Sequence, residues 1–269
     1  MNRNPVVAGQ FYPGSRESLE REVAQYLAAA TAKSPQPTIL AMVPHAGYVY
    51  SGPVAGRTLG KANLADTILL LGPNHTGRGD PFSVWPSGQW LTPLCALSVD
   101  EPLAQALLAA GGGLTANLAA HDQEHSLEVQ IPFLCAVKPG CAIVPVAVSE
   151  PRLSALTAAA KAMAAVLKAW PARVSILVSS DMSHYVSQSQ AKRLDAMAIE
   201  AMLQLDPVGL YSTVREAGIS MCGVLPMTLG LMIALELGAT KAELAAYATS
   251  GDASGDYERV VGYAGVLAG

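Results

Sequence analysis

Three times along this chain a short run of Ile, Leu and Val stops in a polar turn that carries a histidine. The run Ile39 to Val43 ends in Pro44-His45-Ala46-Gly47-Tyr48, and Thr67 to Leu71 ends in Gly72-Pro73-Asn74-His75-Thr76-Gly77. Val174 to Val178 ends in Ser179-Ser180-Asp181-Met182-Ser183-His184. Apolar runs of this length, bounded by Gly, Pro, Asn and Ser, read as buried strands. Strand and helix signals mostly alternate, which is the pattern of an α/β fold built on a largely parallel sheet. The carboxyl ends of parallel strands open on one crevice, where ligands bind. The three turns therefore predict convergent histidines. Neutral imidazole is the commonest protein metal ligand and also titrates near neutrality, so a metal or acid–base site is expected.

The coarse pattern fills in around those strands. Helix is expected from about Ser15 to Ala30, with Leu19, Val23, Tyr26 and Leu27 on one face. Further helices are expected over Pro53 to Leu59, Glu101 to Ala110, Ser126 to Val137, Arg152 to Trp170, Gln190 to Leu205, Val208 to Glu216 and Met221 to Leu237. Pro132 marks a kink or an early boundary in the third of these. Ala142 to Val148 reads as a strand, Pro81 to Leu94 as short irregular strands, and Glu243 to Thr249 with Val260 to Leu267 as an antiparallel pair. No linker divides the chain, so one domain over residues 1–269 is expected.

Composition narrows the function classes. Hydrophobic residues make up 51% and charged residues 14%, which calls for a large covered core. The net charge is −4 and no Lys/Arg cluster stands out, which argues against nucleic acid as a partner. Two uncharged stretches, Pro102 to Ala120 and Ala217 to Leu235, approach membrane-span length but are broken by Gly, Asn, Ser and Pro. The polar start and four scattered cysteines (Cys95, Cys135, Cys141, Cys222) suggest a reducing, cytoplasmic setting. A Cys135–Cys141 disulfide is a minor alternative.

Among the candidate site residues, His45 and His75 lead as ligands, because each follows a strand among small residues. Either alone could simply cap a strand end; their shared context favours ligation. Asp181 and His184 would share one face if a helical turn begins there, the carboxylate orienting an imidazole general acid/base. Asp181 as an N-cap is the alternative. The cluster His121-Asp122-Gln123-Glu124-His125-Ser126-Leu127-Glu128 resembles a helix start, where acidic residues are stabilising. His121 and His125 lack a zincin signature and are read as supporting or substrate-facing residues rather than ligands. Cys222, at the expected start of an apolar helix, is either a thiol of lowered pKa or a small buried apolar residue.

Taken in order, these segments resemble the Memo family, whose bacterial and archaeal members are described as AmmeMemoRadiSam system protein B. The resemblance rests on Ala8-Gly9-Gln10-Phe11-Tyr12-Pro13, Pro44-His45-Ala46-Gly47-Tyr48-Val49-Tyr50-Ser51-Gly52, Gly72-Pro73-Asn74-His75 and Glu124-His125-Ser126-Leu127-Glu128. It continues through Ser180-Asp181-Met182-Ser183-His184-Tyr185, Cys222-Gly223, Ser250-Gly251-Asp252 and Val261-Gly262-Tyr263-Ala264. It implies the fold of the class III extradiol (LigB-like) dioxygenases, a central mixed sheet with helices on both faces. It also implies a non-haem metal site on His45, His75 and Cys222, with Asp181 and His184 as catalytic partners. Tyr50, His125, Phe11 and Glu128 would then face substrate.

A cysteine in place of the carboxylate of a 2-His-1-carboxylate site softens the donor set. Iron or copper is the expected metal, with zinc a further candidate. The implied activity is redox or dioxygenase-like chemistry on a small molecule. The alternative is a non-catalytic metal- or peptide-binding accessory protein associated with Amme-type and radical-SAM proteins. Phe11 stands where eukaryotic relatives have Trp, keeping the apolar wall but losing an indole N–H.

Overall fold

The computed structural model of the chain describes residues 1–269. A two-residue strand β1 (Asn2–Arg3) precedes α1 (Arg16–Ala28), β2 (Leu40–Val43), α2 (Tyr48–Lys61) and β3 (Thr67–Pro73). Next come β4 (Phe82–Val84), β5 (Gln89–Leu91), β6 (Ala96–Ser98), α3 (Glu101–Ala109) and β7 (Thr115–Ala116). A 3-10 turn over Glu128–Gln130 runs into α4 (Ile131–Val137), followed by β8 (Ala142–Val148), α5 (Leu153–Ala169) and β9 (Val174–Ser179). The chain ends with β10 (His184–Val186), α6 (Gln188–Leu203), α7 (Pro207–Glu216), α8 (Val224–Glu236), β11 (Ala242–Thr249), α9 (Gly251–Ser254) and β12 (Val260–Ala268).

The main sheet runs β10-β12-β2-β9-β3-β8-β4-β7, with β11 on the other side of β12. Its middle four strands, β2, β9, β3 and β8, are parallel. β12 and β4 flank them in antiparallel pairings. Every residue of β2, β3 and β9 is buried, as continuous apolar strands covered on both faces should be. A separate three-stranded sheet, β1-β5-β6, gathers the short irregular strands around Trp90. The buried side chains form one large core from Tyr12 to Ala268 and a small satellite of Val54, Ala246 and Tyr263. No helix is long and apolar enough to cross a membrane.

Three expectations are corrected. Helix α2 begins at Tyr48, five residues before Pro53, and carries that proline inside it. One backbone bond is lost there, but Gly52 and Gly56 admit Tyr26 of α1 so closely that any Cβ would overlap it. Tight packing outweighs the defect. The segment from Asp181 to His184 forms no helical turn; it runs directly into β10, which pairs with β12. Finally, Cys135 is joined to Cys95 in the β5–β6 turn, with Cα atoms 6.3 Å apart. Cys141 is free and buried at the start of β8.

Candidate metal centre

Strands β2, β9 and β3 lie side by side, with Val43 opposite Ser179 and Leu71 opposite Val178. Each stops at the same end of the sheet, and each delivers a polar residue two positions later: His45, Asp181 and His75. Parallel register alone therefore brings residues separated by more than a hundred positions to one place. The segment before the 3-10 turn supplies His125 from above. Ligand atoms of His45, His75 and His125 all lie within 4.8 Å of one another. The His75 and His125 rings stack at 4.9 Å, and His45 stands nearly edge-on to both, at 5.3 and 5.4 Å.

The hydrogen bonds behind two of the rings fix their tautomers. Ser179 Oγ donates its only proton to the Ser126 carbonyl (2.7 Å) and accepts from Gln130 Nε2 (2.9 Å). It must then accept from His45 Nδ1–H at 2.8 Å, which leaves His45 Nε2 with a bare lone pair. His75 Nδ1 donates to Glu124 Oε1 at 2.9 Å, and the His75 backbone N–H is held by Glu124 Oε2. That again leaves Nε2 free. A carboxylate behind a metal-binding histidine orients the ring and raises its basicity. His125 is held more loosely, its Nδ1 3.6 Å from Glu124 Oε1.

Electrostatics follow from burial. His45 is buried, and desolvation, followed by its two histidine neighbours, keeps it neutral far below the usual imidazole range. Burial also lowers His125, opposed in part by Glu124. For His75 burial acts downward too, but the hydrogen bond and charge of Glu124 outweigh it and raise the pKa. Glu124 itself is 1% exposed. Burial would raise its pKa, yet bonds from His75 and the Ser126 N–H bring it down to about 2. A divalent ion requires neutral imidazoles; burial supplies two of them, and at His75 the ion would compete with the proton that Glu124 favours.

Cys222 sits beside this set, its Sγ 3.3 Å from His45 Nε2. Two donors of one ion, with metal–sulfur near 2.3 Å and metal–nitrogen near 2.05 Å, lie about 3.1 Å apart at right angles and about 3.6 Å apart at the tetrahedral angle. The observed spacing falls between. The sulfur also accepts from the Asp181 N–H at 3.2 Å. The expectation that a helix start lowers this thiol's pKa is overturned: burial, then the charge of Asp181, raises it well above its usual range. A bound cation would reverse that balance, since a coordinating thiol loses its proton.

A tetrahedral ion holds its nitrogen donors roughly 3.4 Å apart, and the three imidazole donors here lie within 4.8 Å of one another. His125, held only loosely, is the ring with the most freedom to adjust to an ion. The donor set fits a metal.

Beyond the rings lies a cavity of about 430 Å³, lined by Phe11, Tyr50, Asp181, His184, Tyr185, Arg259 and Tyr263 among others. A larger cleft of about 630 Å³ sits at the opposite end of the sheet around Thr240 and Gly269, away from every histidine. In the smaller cavity, His184 Nδ1 donates to the Ser220 carbonyl (2.9 Å) and its backbone N–H to Ser220 Oγ (2.7 Å). Nε2 is left as the basic nitrogen. Phe11 packs edge-on against His125 at 4.7 Å.

Comparison with known proteins identifies the family. A family model described as Memo-like protein matches residues 3–267. The chain belongs to the Memo-like family. It is 37% identical to a MEMO1 family protein of Methanopyrus kandleri, with 99% of both chains covered. It is 38% identical to one of Pyrobaculum arsenaticum and 37% to one of Aquifex aeolicus, each over 98% of both chains. A crystal structure of an uncharacterized Escherichia coli K12 protein shares the fold at 12% identity, with a TM-score of 0.52. That match covers 84% of this chain and 98% of the other.

Within this Memo-like frame, two expected roles change. Asp181 does not hold His184. Its Oδ1 accepts from the His45 N–H at 2.8 Å, and its own N–H meets Cys222, so it clamps two donors together. Glu128 does not face the cavity. It is fully buried, paired with Arg3 at 2.7 Å, and accepts from the Val6 and Val7 N–H groups and the Tyr12 hydroxyl. It anchors the segment that carries Phe11. His125, read from sequence as substrate-facing, stands in the imidazole cluster and also borders the cavity. Ser179, Gln130, Ser220 and Arg259 carried no signal, because single polar residues become meaningful only when folding supplies their partners.

Proposed function

We propose that this Memo-like protein is a metal-dependent oxidoreductase acting on a small molecule. His45 and His75 are its fixed ligands, with Cys222 and His125 completing the set. The observation that carries this reading is the trio of imidazoles whose ligand atoms lie within 4.8 Å of one another, two of them anchored through Nδ1, with a thiol 3.3 Å from the bare Nε2 of His45. Neutral nitrogen donors with a sulfur favour copper(I) or zinc over the hard cations, and iron is accommodated by imidazole. Of these, copper or iron held by His45, His75, His125 and Cys222 would supply redox chemistry and polarise a bound substrate.

The chain's own residues supply the rest. Phe11, Tyr50 and Tyr263 wall the cavity with aromatic faces. Tyr50 presents a hydroxyl to substrate. His184, its Nδ1 proton committed to Ser220, takes or returns a proton at Nε2. Asp181 acts through the backbone of His45 and through Cys222, which makes it a positioning residue.

Elemental analysis of anaerobically purified protein, paired with oxygen-consumption assays, tests the reading. One metal per chain is expected for wild type and for His184→Ala, with turnover lost in the variant. His45→Ala should contain none. Metal retained in both variants would overturn the ligand assignment. Stoichiometric metal without any turnover would favour a non-catalytic accessory role beside Amme-type and radical-SAM proteins.

A further inference from the structure

The mouth of the cavity holds a pair of side chains that metal binding does not use. In β10, His184 pairs with Val261 and Val186 with Val260, so Tyr185 stands between them as an extra residue. Successive side chains of a regular strand face opposite sides of the sheet. The bulge cancels that alternation, and His184 and Tyr185 both line the cavity. Tyr185 adopts φ +58°, a left-handed conformation that bulky residues take only where their surroundings enforce it. Burial does not enforce it, because the residue is 67% exposed.

The ring meets Arg259, whose guanidinium carbon lies 5.8 Å from the ring centroid, and the His184 imidazole, edge-on at 5.9 Å. Arg259 makes no ion pair within the protein. Asp256, which lines the same cavity, accepts the Glu258 N–H at 2.9 Å. A guanidinium resting on an aromatic face keeps its in-plane donors for a second partner, and those donors match the geometry of an oxyanion.

We infer that Tyr185 and Arg259 form an anion-binding subsite at the cavity mouth, so that the ligand is a small molecule with a flat apolar body and a negatively charged group. Phe11, Tyr50 and Tyr263 offer the apolar faces for the body, and about 430 Å³ suits a ligand of modest size. The inference rests on the metal reading for its other pole: a divalent cation on the floor offsets the Glu124 carboxylate and the Cys222 thiolate it creates, which leaves the Arg259 guanidinium to attract an anion.

Zinc-loaded protein titrated calorimetrically with benzenesulfonate, a poor metal ligand, and with methyl phenyl sulfone, its neutral counterpart of similar size, tests the subsite. The anion should bind at least tenfold more tightly, and Arg259→Gln should abolish that preference. Tyr185→Gly should weaken anion binding several-fold while the melting temperature holds or rises, which separates binding from folding. Equal binding of the two probes, binding of neither, or an undiminished preference in Arg259→Gln would overturn the subsite. Zinc content measured on the same samples distinguishes the two claims. Probe failure on fully loaded protein sinks the subsite alone, whereas protein that takes up no zinc sinks the metal reading and the subsite with it.

Discussion

The floor of the cavity and its mouth are built on opposite principles. On the floor, His45 and His75 are fixed from behind by buried partners, Ser179 and Glu124, each of which is itself held by further bonds. At the mouth, Tyr185 is exposed, left-handed and unpaired in the sheet, and Arg259 has no acidic partner. The floor gains rigidity from satisfied polar groups in a low-dielectric setting. The mouth retains strain and free donors, the usual condition of a surface that waits for a ligand. Substitutions at the floor should therefore damage the protein, whereas relief of strain at the mouth should stabilise it.

The largest effect is expected at Glu128→Ala. The change strands Arg3, which is 3% exposed, and frees the Val6, Val7 and Tyr12 donors. Breaking a buried pair costs about 3–5 kcal/mol, to be measured by urea unfolding. A loss below 1 kcal/mol would mean the N-terminal segment is not anchored there.

Next comes acid. His121 is buried, its Nδ1 has no partner, and desolvation brings its pKa down to about 4. Between pH 6.5 and 4 the unfolded chain binds a proton that the folded chain refuses, so stability falls as pH falls through that window, by about 3 kcal/mol in all. His121→Gln keeps a donor for the Ser83 carbonyl and should flatten the profile there. Below it, Glu124 adds a second loss as pH drops from its ordinary carboxylate range towards about 2. An unchanged slope in the variant would place the titrating group elsewhere.

Glu124→Gln should weaken metal affinity about 10–100-fold, the ordinary cost of losing a carboxylate behind a ligating histidine. A competition titration with a chelator reads this directly, and unaltered affinity would remove Glu124 from the site. The smallest effect has the opposite sign. Tyr185→Gly should stabilise the fold by about 1 kcal/mol, because glycine accepts the left-handed backbone without strain. A destabilised variant would show that the ring is held by packing, and the contrast between floor and mouth would collapse.

How much of this was legible in the chain depends on whether the signal was local. Strand ends carrying His45 and His75 were legible because Ile/Leu/Val runs announce buried strands and parallel register does the rest. The sheet, its flanking helices and the antiparallel pair at the end followed from the same periodicity. Cys222 could be placed only by resemblance, since nothing local distinguishes a ligand from a small buried residue. Asp181 and His184 were correctly located at a strand end but wrongly coupled: spacing of three suggested a helical turn, whereas the chain continued into β10. Glu128 was set facing substrate on the resemblance alone; it does begin a helical turn, but its partner, Arg3, lies 125 positions away and no local signal links the two. Arg259 and the Tyr185 bulge exist only as tertiary facts.

The most direct test of the central claim is an anomalous difference map from metal-replete crystals, collected across the absorption edge of the metal that copurifies. One peak is expected among the imidazoles of His45, His75 and His125, within bonding distance of His45 Nε2 and Cys222 Sγ. A chain that carries its metal elsewhere, with Cys222 still a neutral thiol against His45, would contradict the account.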